Sequence, residues 1–343
     1  MASFKCSKGQ LRSFARHPPF VYHPAYSAPN WPSNHTFAMW KFKDAAVSLV
    51  KNAVVKSADD FFRPDDPPDE LFLRAHDPRY YRNFINDELD PVLKRRIGFI
   101  QRPNHGDLVR RTRLECAGTL LAARLALKYG VAANLGGGTH HAHHSWGSGY
   151  TILNDLAVTA LALRTEGLKR VAVVDLDVHQ GDGTAEILAG DSGCFTFSMH
   201  CEDNFPLKFH APHLGNDRSD LDVGMPTGTD DQTYMEVLKQ HLGPAVLDGF
   251  KPSLVLYDAG IDPYEGDRLG KLSLSEHGLY RRDFFVITEC IRRGIPVACV
   301  IGGGYDKDRA ALAKRHTIVH HAARDAWHSS GLAENQVAGQ FED

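Results

Sequence analysis

A chain of 343 residues with 39 basic and 42 acidic side chains, a net charge of −3 and 43% apolar residues has the make-up of an ordinary globular protein. Nothing in that balance supplies the basic excess of a nucleic-acid binder, and no apolar run reaches the roughly 18 residues of a membrane span. Six cysteines (Cys6, Cys116, Cys194, Cys201, Cys290 and Cys299) without a CxxC pair point away from a disulfide framework and toward a reducing compartment.

The first 43 residues contain no Asp or Glu. A leader without fixed structure explains this most simply, and an organelle transit peptide shares the bias. We therefore expect a leader over 1–20, one catalytic domain over 21–330 and a tail over 331–343. The cytoplasm is the expected compartment, with the nucleus or an organelle as alternatives. The Pro/Asp cluster over 64–69 is short enough for a surface loop.

Helices and strands then alternate. Leu114, Ala117, Leu121 and Leu125 recur at helical spacing within 111–129, and Gly130 ends the run. A strand over 131–135, a helix over 154–166 and a strand over 171–174 come next. Further helices are expected over 230–242 and 275–293, and further strands over 254–257 and 297–301. This βαβα order predicts an α/β fold: a single domain with a parallel sheet sandwiched by helices.

The loops that leave these strands carry the chemistry. After Leu135 comes Gly136-Gly137-Gly138-Thr139-His140-His141; after Val174, Asp175-Leu176-Asp177-Val178-His179; after Tyr257, Asp258-Ala259-Gly260-Ile261-Asp262; after Ile301, Gly302-Gly303-Gly304-Tyr305. Side chains two apart on extended backbone point the same way, so Asp175, Asp177 and His179 project together beyond the strand. That is where open α/β sheets bind ligands. The blander reading, that these residues cap a helix and hold a loop, leaves two carboxylates and an imidazole at this pitch unexplained.

Asp177, His179 and Asp262 supply one nitrogen and two oxygen ligands, a set suited to a catalytic divalent ion with an open position. His140 and His141 suit general acid–base work if carboxylates orient them, with Asp175 and Asp182 as candidates. Tyr305 offers an O–H to an oxyanion. Glycine runs that include Gly303 form the walls of a narrow pocket.

Together, Gly136 to Ala142, Gly149-Tyr150, Asn154-Asp155, Asp175 to Gly183, Asp262 and Gly302 to Tyr305 resemble the motif set of the zinc-dependent histone deacetylases. The likeness runs over nearly the whole chain and is most like class IV and bacterial deacetylase-like enzymes. It implies the arginase/deacetylase fold, zinc on Asp177, His179 and Asp262, and the roles already given for His140, His141, Asp175, Asp182 and Tyr305. It adds a substrate tunnel at Gly149, Tyr150 and Phe205. It also adds a potassium ion near the zinc, held by backbone oxygens of Asp175, Asp177, His179 and Met199 and the hydroxyl of Ser198. Where the family commonly has Phe, this chain has Tyr150.

The resemblance implies an amidohydrolase removing acetyl or longer acyl groups from protein lysines, so its partner is an acyl-lysine protein or peptide. Alternatives are deacylation of small amines such as acetylpolyamines, or a non-catalytic acyl-lysine binding protein. A two-metal hydrolase is disfavoured for want of further carboxylates. His143 and His144 are expected on the rim, His200 in a structural role, Cys201 as a buried or rim thiol, and Arg110 to Arg113 and Arg281-Arg282 on solvated faces.

Overall fold

β1 (Phe20–Val21), β2 (Val131–Asn134), β3 (Val171–Asp175), β4 (Cys194–Cys201), β5 (Leu221–Met225), β6 (Leu254–Asp258) and β7 (Val297–Val300) form one sheet in the order 1-2-7-6-3-4-5. Every pairing is parallel. The structure is a computed structural model that describes residues 14–100, 104–206 and 219–334.

The helices are α1 (Lys41–Lys51), α2 (Pro78–Ile85), α3 (Pro91–Ile97), α4 (His105–Tyr129), α5 (Asp155–Thr165), α6 (Asp182–Leu188), α7 (Asp231–His241), α8 (Glu276–Arg292), α9 (Arg309–Arg315) and α10 (Ile318–Ser329). Every residue of β3 and β6 is buried, so both faces of the sheet are covered.

Local signals explain most boundaries. α4 starts six residues before the expected 111 because Asn104 caps it, its side chain accepting from Asp107 N, and it ends at Gly130 with φ 94°. Asn154 caps α5 and Ser275 caps α8 in the same way. Beyond α7 the chain continues as a π-helical segment, Leu242–Phe250.

Two expectations need correction. The folded domain begins before residue 21: Phe14 and His17 are buried, Trp327 Nε1 donates to Phe14 O at 2.8 Å, and Phe20 pairs with Ala133. Residues 1–13 and 335–343 lie outside the described residues. Nor are the basic helix residues simply solvated. Arg111 is buried against Glu115, and Arg113 reaches Asp66, Asp69 and Tyr81. Arg282 is fully buried.

The topology fixes the site. From β3 the chain moves outward to β4 and β5; from β6 it moves the other way to β7. Loops leaving adjacent β3 and β6 therefore diverge, opening a crevice at their carboxyl ends.

Candidate active site

Asp177 and His179 leave β3, and Asp262 leaves β6, on the two sides of that crevice. Their ligand atoms all lie within 4.8 Å of one another. Asp177 Oδ1 accepts from His179 N and faces His179 Nδ1, each at 2.9 Å, while Oδ2 accepts from Gly303 N at 2.8 Å. Asp262 Oδ1 accepts from Val178 N at 2.9 Å, and its buried Oδ2 faces His179 Nδ1 at 3.3 Å. Burial alone would depress the imidazole of His179, yet bonds to Asp177 and Asp262 raise its pKa to about 10. These groups jointly attract positive charge, because two buried carboxyl groups share a single imidazole. The donor set fits a divalent ion.

Two His–Asp pairs stand beside it. His140 Nδ1 donates to Asp175 Oδ2 at 2.7 Å, and His141 Nδ1 donates to Asp182 Oδ1 at 2.6 Å. Burial would lower His140, but Asp175 and Asp177 raise it well above the usual range. His141 is pushed the other way, to about 4, by burial and by the neighbouring His140 against the pull of Asp182. The loop bearing them is gripped by Asp155, whose carboxylate accepts from Gly138 N at 3.1 Å and Thr139 N at 2.7 Å. Glycine is required at 138: φ is 84°, and a Cβ there would sit 2.5 Å from Gly302 Cα. The two glycine runs thus touch across the pocket floor.

A cavity of about 520 Å³ opens over these groups, lined by His140, His141, Gly149, Tyr150, Asp177, His179, Phe205, Gly303 and Tyr305. Asp175, Asp182 and Asp262 stand behind that lining. Phe205 packs edge-on to His141 with ring centroids 4.9 Å apart, and the Tyr150 and Tyr305 rings lie 6.0 Å apart. Tyr150 rests on Phe37 and Phe99, which hold its ring from behind. Burial, then Asp262 and Asp177, push the phenol of Tyr305 well up, so it keeps its proton. Ser198 pairs in register with Asp175, its hydroxyl 3.0 Å from His200 Nδ1, and Met199 is buried beside it. Cys201 is buried 3.7 Å from Thr227 Oγ1.

Several residues that shape the site were given no role in it by the sequence. Arg282 Nη1 donates to Leu176 O at 3.0 Å and Gly260 O at 2.8 Å, clipping the β3 and β6 loops together. Lys41 donates to Gly302 O at 2.9 Å, and burial lowers its pKa to about 8. Asp258, whose two buried oxygens lack hydrogen-bond partners among the described residues, groups with His140 and Asp175. A further carboxyl therefore does exist beside the site, contrary to the sequence expectation. Burial and then Asp175 raise it well above the carboxylate range, and His140 Nδ1 is already engaged by Asp175. His143, expected on the rim, is buried; His144 is exposed. A strand ending in Asp, or a doublet of histidines, gave no hint of these depths.

Sequence and structure comparisons place this geometry among known proteins. Residues 35–322 match the histone deacetylase domain. The chain is 46% identical over 310 residues to an uncharacterized protein of Picosynechococcus sp., covering 90% of this chain and 99% of that one. It is 34% identical to histone deacetylase 2 of Arabidopsis thaliana over 58% of this chain and 51% of that protein. It is 28% identical to the acetoin utilization protein AcuC of Staphylococcus aureus over 84% and 77% of the two chains. Among solved structures, the HDA15 HD domain superposes with a TM-score of 0.68 at 18% identity, covering 96% of this chain and 99% of that one. An acetylpolyamine aminohydrolase from Burkholderia pseudomallei gives 0.66 at 19%, covering 89% and 98%. These likenesses show the arginase/deacetylase type of parallel α/β fold. The chain belongs to the histone deacetylase family and is a hydrolase of that family.

Proposed function

We propose that this protein is a zinc-dependent amidohydrolase that removes acetyl or longer acyl groups from lysine side chains of proteins. The observation that carries this reading is the convergence of Asp177, His179 and Asp262 with two carboxylate-anchored histidines and Tyr305 around one cavity. A zinc ion held by those three ligands would polarise the scissile carbonyl and acidify an attacking water. Potassium near Asp175, Asp177, His179, Ser198 and Met199 belongs to the same proposal.

The chain's own residues do the rest. Anchoring of Nδ1–H on Asp175 and Asp182 leaves Nε2 of His140 and His141 for the reacting groups. One ring takes a proton from water, and one returns a proton to the departing amine nitrogen. Tyr305 donates its O–H to the oxygen on which charge develops. Tyr150 and Phe205 flank the lysine methylenes and remove their apolar surface from water.

Small acylated polyamines fit the entrance less well. Exposed Arg95 and Arg96 line the opening, and among the described residues the only lining carboxylates are Glu115 and Asp177, both buried. A polycation would meet like charge there. The test is turnover by zinc-quantified protein on acyl-lysine peptides and acylpolyamines of graded chain length. Chelator-sensitive peptide turnover is expected, and failure on every peptide would overturn the reading.

A further inference from the structure

Tyr305 reaches the cavity at the end of Gly302-Gly303-Gly304, a run in which the backbone is at its freest. Gly304 has φ 149°, and a Cβ there would overlap Ile261, so a stiffer residue cannot take its place. A donor to a developing charge is effective only when it is fixed before the reaction begins. Something outside the glycine run must therefore hold Tyr305.

The hold comes from the turn that follows Asp262. Asp267 Oδ2 accepts from Tyr305 N at 2.6 Å, and Arg268 N donates to Tyr305 O at 3.1 Å. Consecutive residues thus engage both main-chain polar groups of the tyrosine. The other oxygen of Asp267, Oδ1, accepts from Leu269 N at 2.8 Å and Gly270 N at 2.9 Å, and Asp267 N donates to Tyr264 O at 3.0 Å. One carboxyl closes its own turn and grips Tyr305 at the same time.

The turn has anchors of its own. Glu265 N donates to Leu274 O at 2.9 Å, Leu274 N donates to Pro263 O at 3.1 Å, and Asn204 Nδ2 donates to Leu269 O at 2.8 Å. Asp267 does not line the cavity. The turn is a fixed frame, and Asp267 is the side chain that ties the glycine run to it.

We propose that Asp267 is a positioning residue, which holds the main chain of Tyr305 so that the phenol hydroxyl stands over the reacting carbonyl. The proposal rests on the amidohydrolase reading above. Asp262 lies five residues back on the same segment, so the test must separate an effect through Tyr305 from one through the metal site.

Asp267→Asn does this in the zinc-loaded protein. Its single carbonyl oxygen keeps two bonds by staying on Leu269 N and Gly270 N, which turns the NH₂ group toward Tyr305 N, where it cannot accept. We expect kcat to fall about tenfold, the scale of one lost hydrogen bond, with KM and zinc content held. The fall cannot exceed the loss caused by Tyr305→Phe. In the Tyr305→Phe background the same substitution should cost nothing further, because the hydroxyl it positions is gone. A residue that only supports the fold would lower kcat by the same factor in both backgrounds, and that result overturns the proposal. So does an unchanged kcat, or a loss that tracks lost zinc.

Amide hydrogen exchange reads the same bond without substrate. Tyr305 N–H should exchange at least about 100-fold more slowly than an open amide in wild type, and faster in Asp267→Asn. If the protein turns over no acyl-amide, the reading beneath the proposal fails, while exchange still decides whether Asp267 holds Tyr305. Equal exchange in the two proteins, or open-amide exchange in wild type if the variant does not fold, overturns the proposal.

Discussion

Asp177 and Asp262 meet across the line where β3 and β6 part company, with His179 Nδ1 2.9 Å from Asp177 Oδ1 and 3.3 Å from Asp262 Oδ2. Two carboxyl groups this close, sharing one imidazole, favour a bound cation. Asp177→Ala should lose bound zinc and activity together, read by metal analysis beside a turnover assay. Full turnover by metal-free variant protein would refute the metal assignment.

Tyr305 can be tested apart from the metal. Tyr305→Phe keeps the ring against Tyr150 and removes only the hydroxyl. Zinc content should hold while kcat drops by about 10²–10³. An unchanged kcat would remove the oxyanion role.

Gly303 sits against both carboxyl groups proposed to hold the metal: a Cβ there would overlap Asp262 Oδ2 and lie 2.6 Å from Asp177 Oδ2. Gly303→Ala should therefore fold but bind zinc about 10–100-fold more weakly, the scale seen when groups supporting metal ligands are disturbed. Competition with a chelator of known affinity measures it. Equal zinc affinity would mean that the loop yields freely.

Tyr150 is held from behind by Phe37 and Phe99, so its ring is a fixed wall. Tyr150→Ala should raise KM for extended acyl-lysine peptides while zinc content stays put. If kinetic constants stay flat across acyl lengths, Tyr150 does not contact the substrate.

Arg282 has no access to solvent and holds the Leu176 and Gly260 carbonyls as well as Asp283. Arg282→Met leaves Asp283 with the Tyr257 hydroxyl and takes a donor from both carbonyls, a loss of about 3–5 kcal/mol by the usual cost of breaking a buried pair. Denaturant unfolding reads this directly. A loss under about 1 kcal/mol, the scale of an exposed pair, would show that other groups hold the loops.

Acid should weaken the fold through buried neutral histidines. Burial lowers His76 to about 4 and His320 to about 3, whereas the unfolded chain titrates near 6.5. Between those limits the unfolded state binds more protons, so stability is whole above pH 6.5 and declines as pH falls toward 4. Each such histidine contributes a slope of about 1.4 kcal/mol per pH unit. His320→Leu should flatten the acid limb of a Tm–pH curve; an unaltered slope would exclude His320 as a contributor.

The central strands and the polar side chains gathered at their ends are legible in the sequence for one reason: both rest on local patterns. Val171 to Val174 form an unbroken β-branched and apolar run, and Asp175, Asp177 and His179 follow at strand pitch. β4 escaped because its Thr, Ser and His residues break the apolar run, although six of its eight positions are buried. β1, two residues long, has no periodicity to detect. Arg282 and His143 illustrate the deeper limit. A charged residue on an amphipathic helix, or a histidine in a polar loop, looks solvated until tertiary partners from elsewhere in the chain are placed around it. Lys41, whose partner at Gly302 lies near the other end of the molecule's sequence, was hidden for the same reason.

β7 has β2 on one side and β6 on the other, yet it is the last strand of the sheet to be made. Until residues 297–300 are made, β2 and β6 each lack the neighbour that joins β1-β2 to β6-β3-β4-β5. A chain cut between Asp258 and Val297 would therefore carry two unpaired strand edges at what becomes the centre of the sheet, a form open to misassembly.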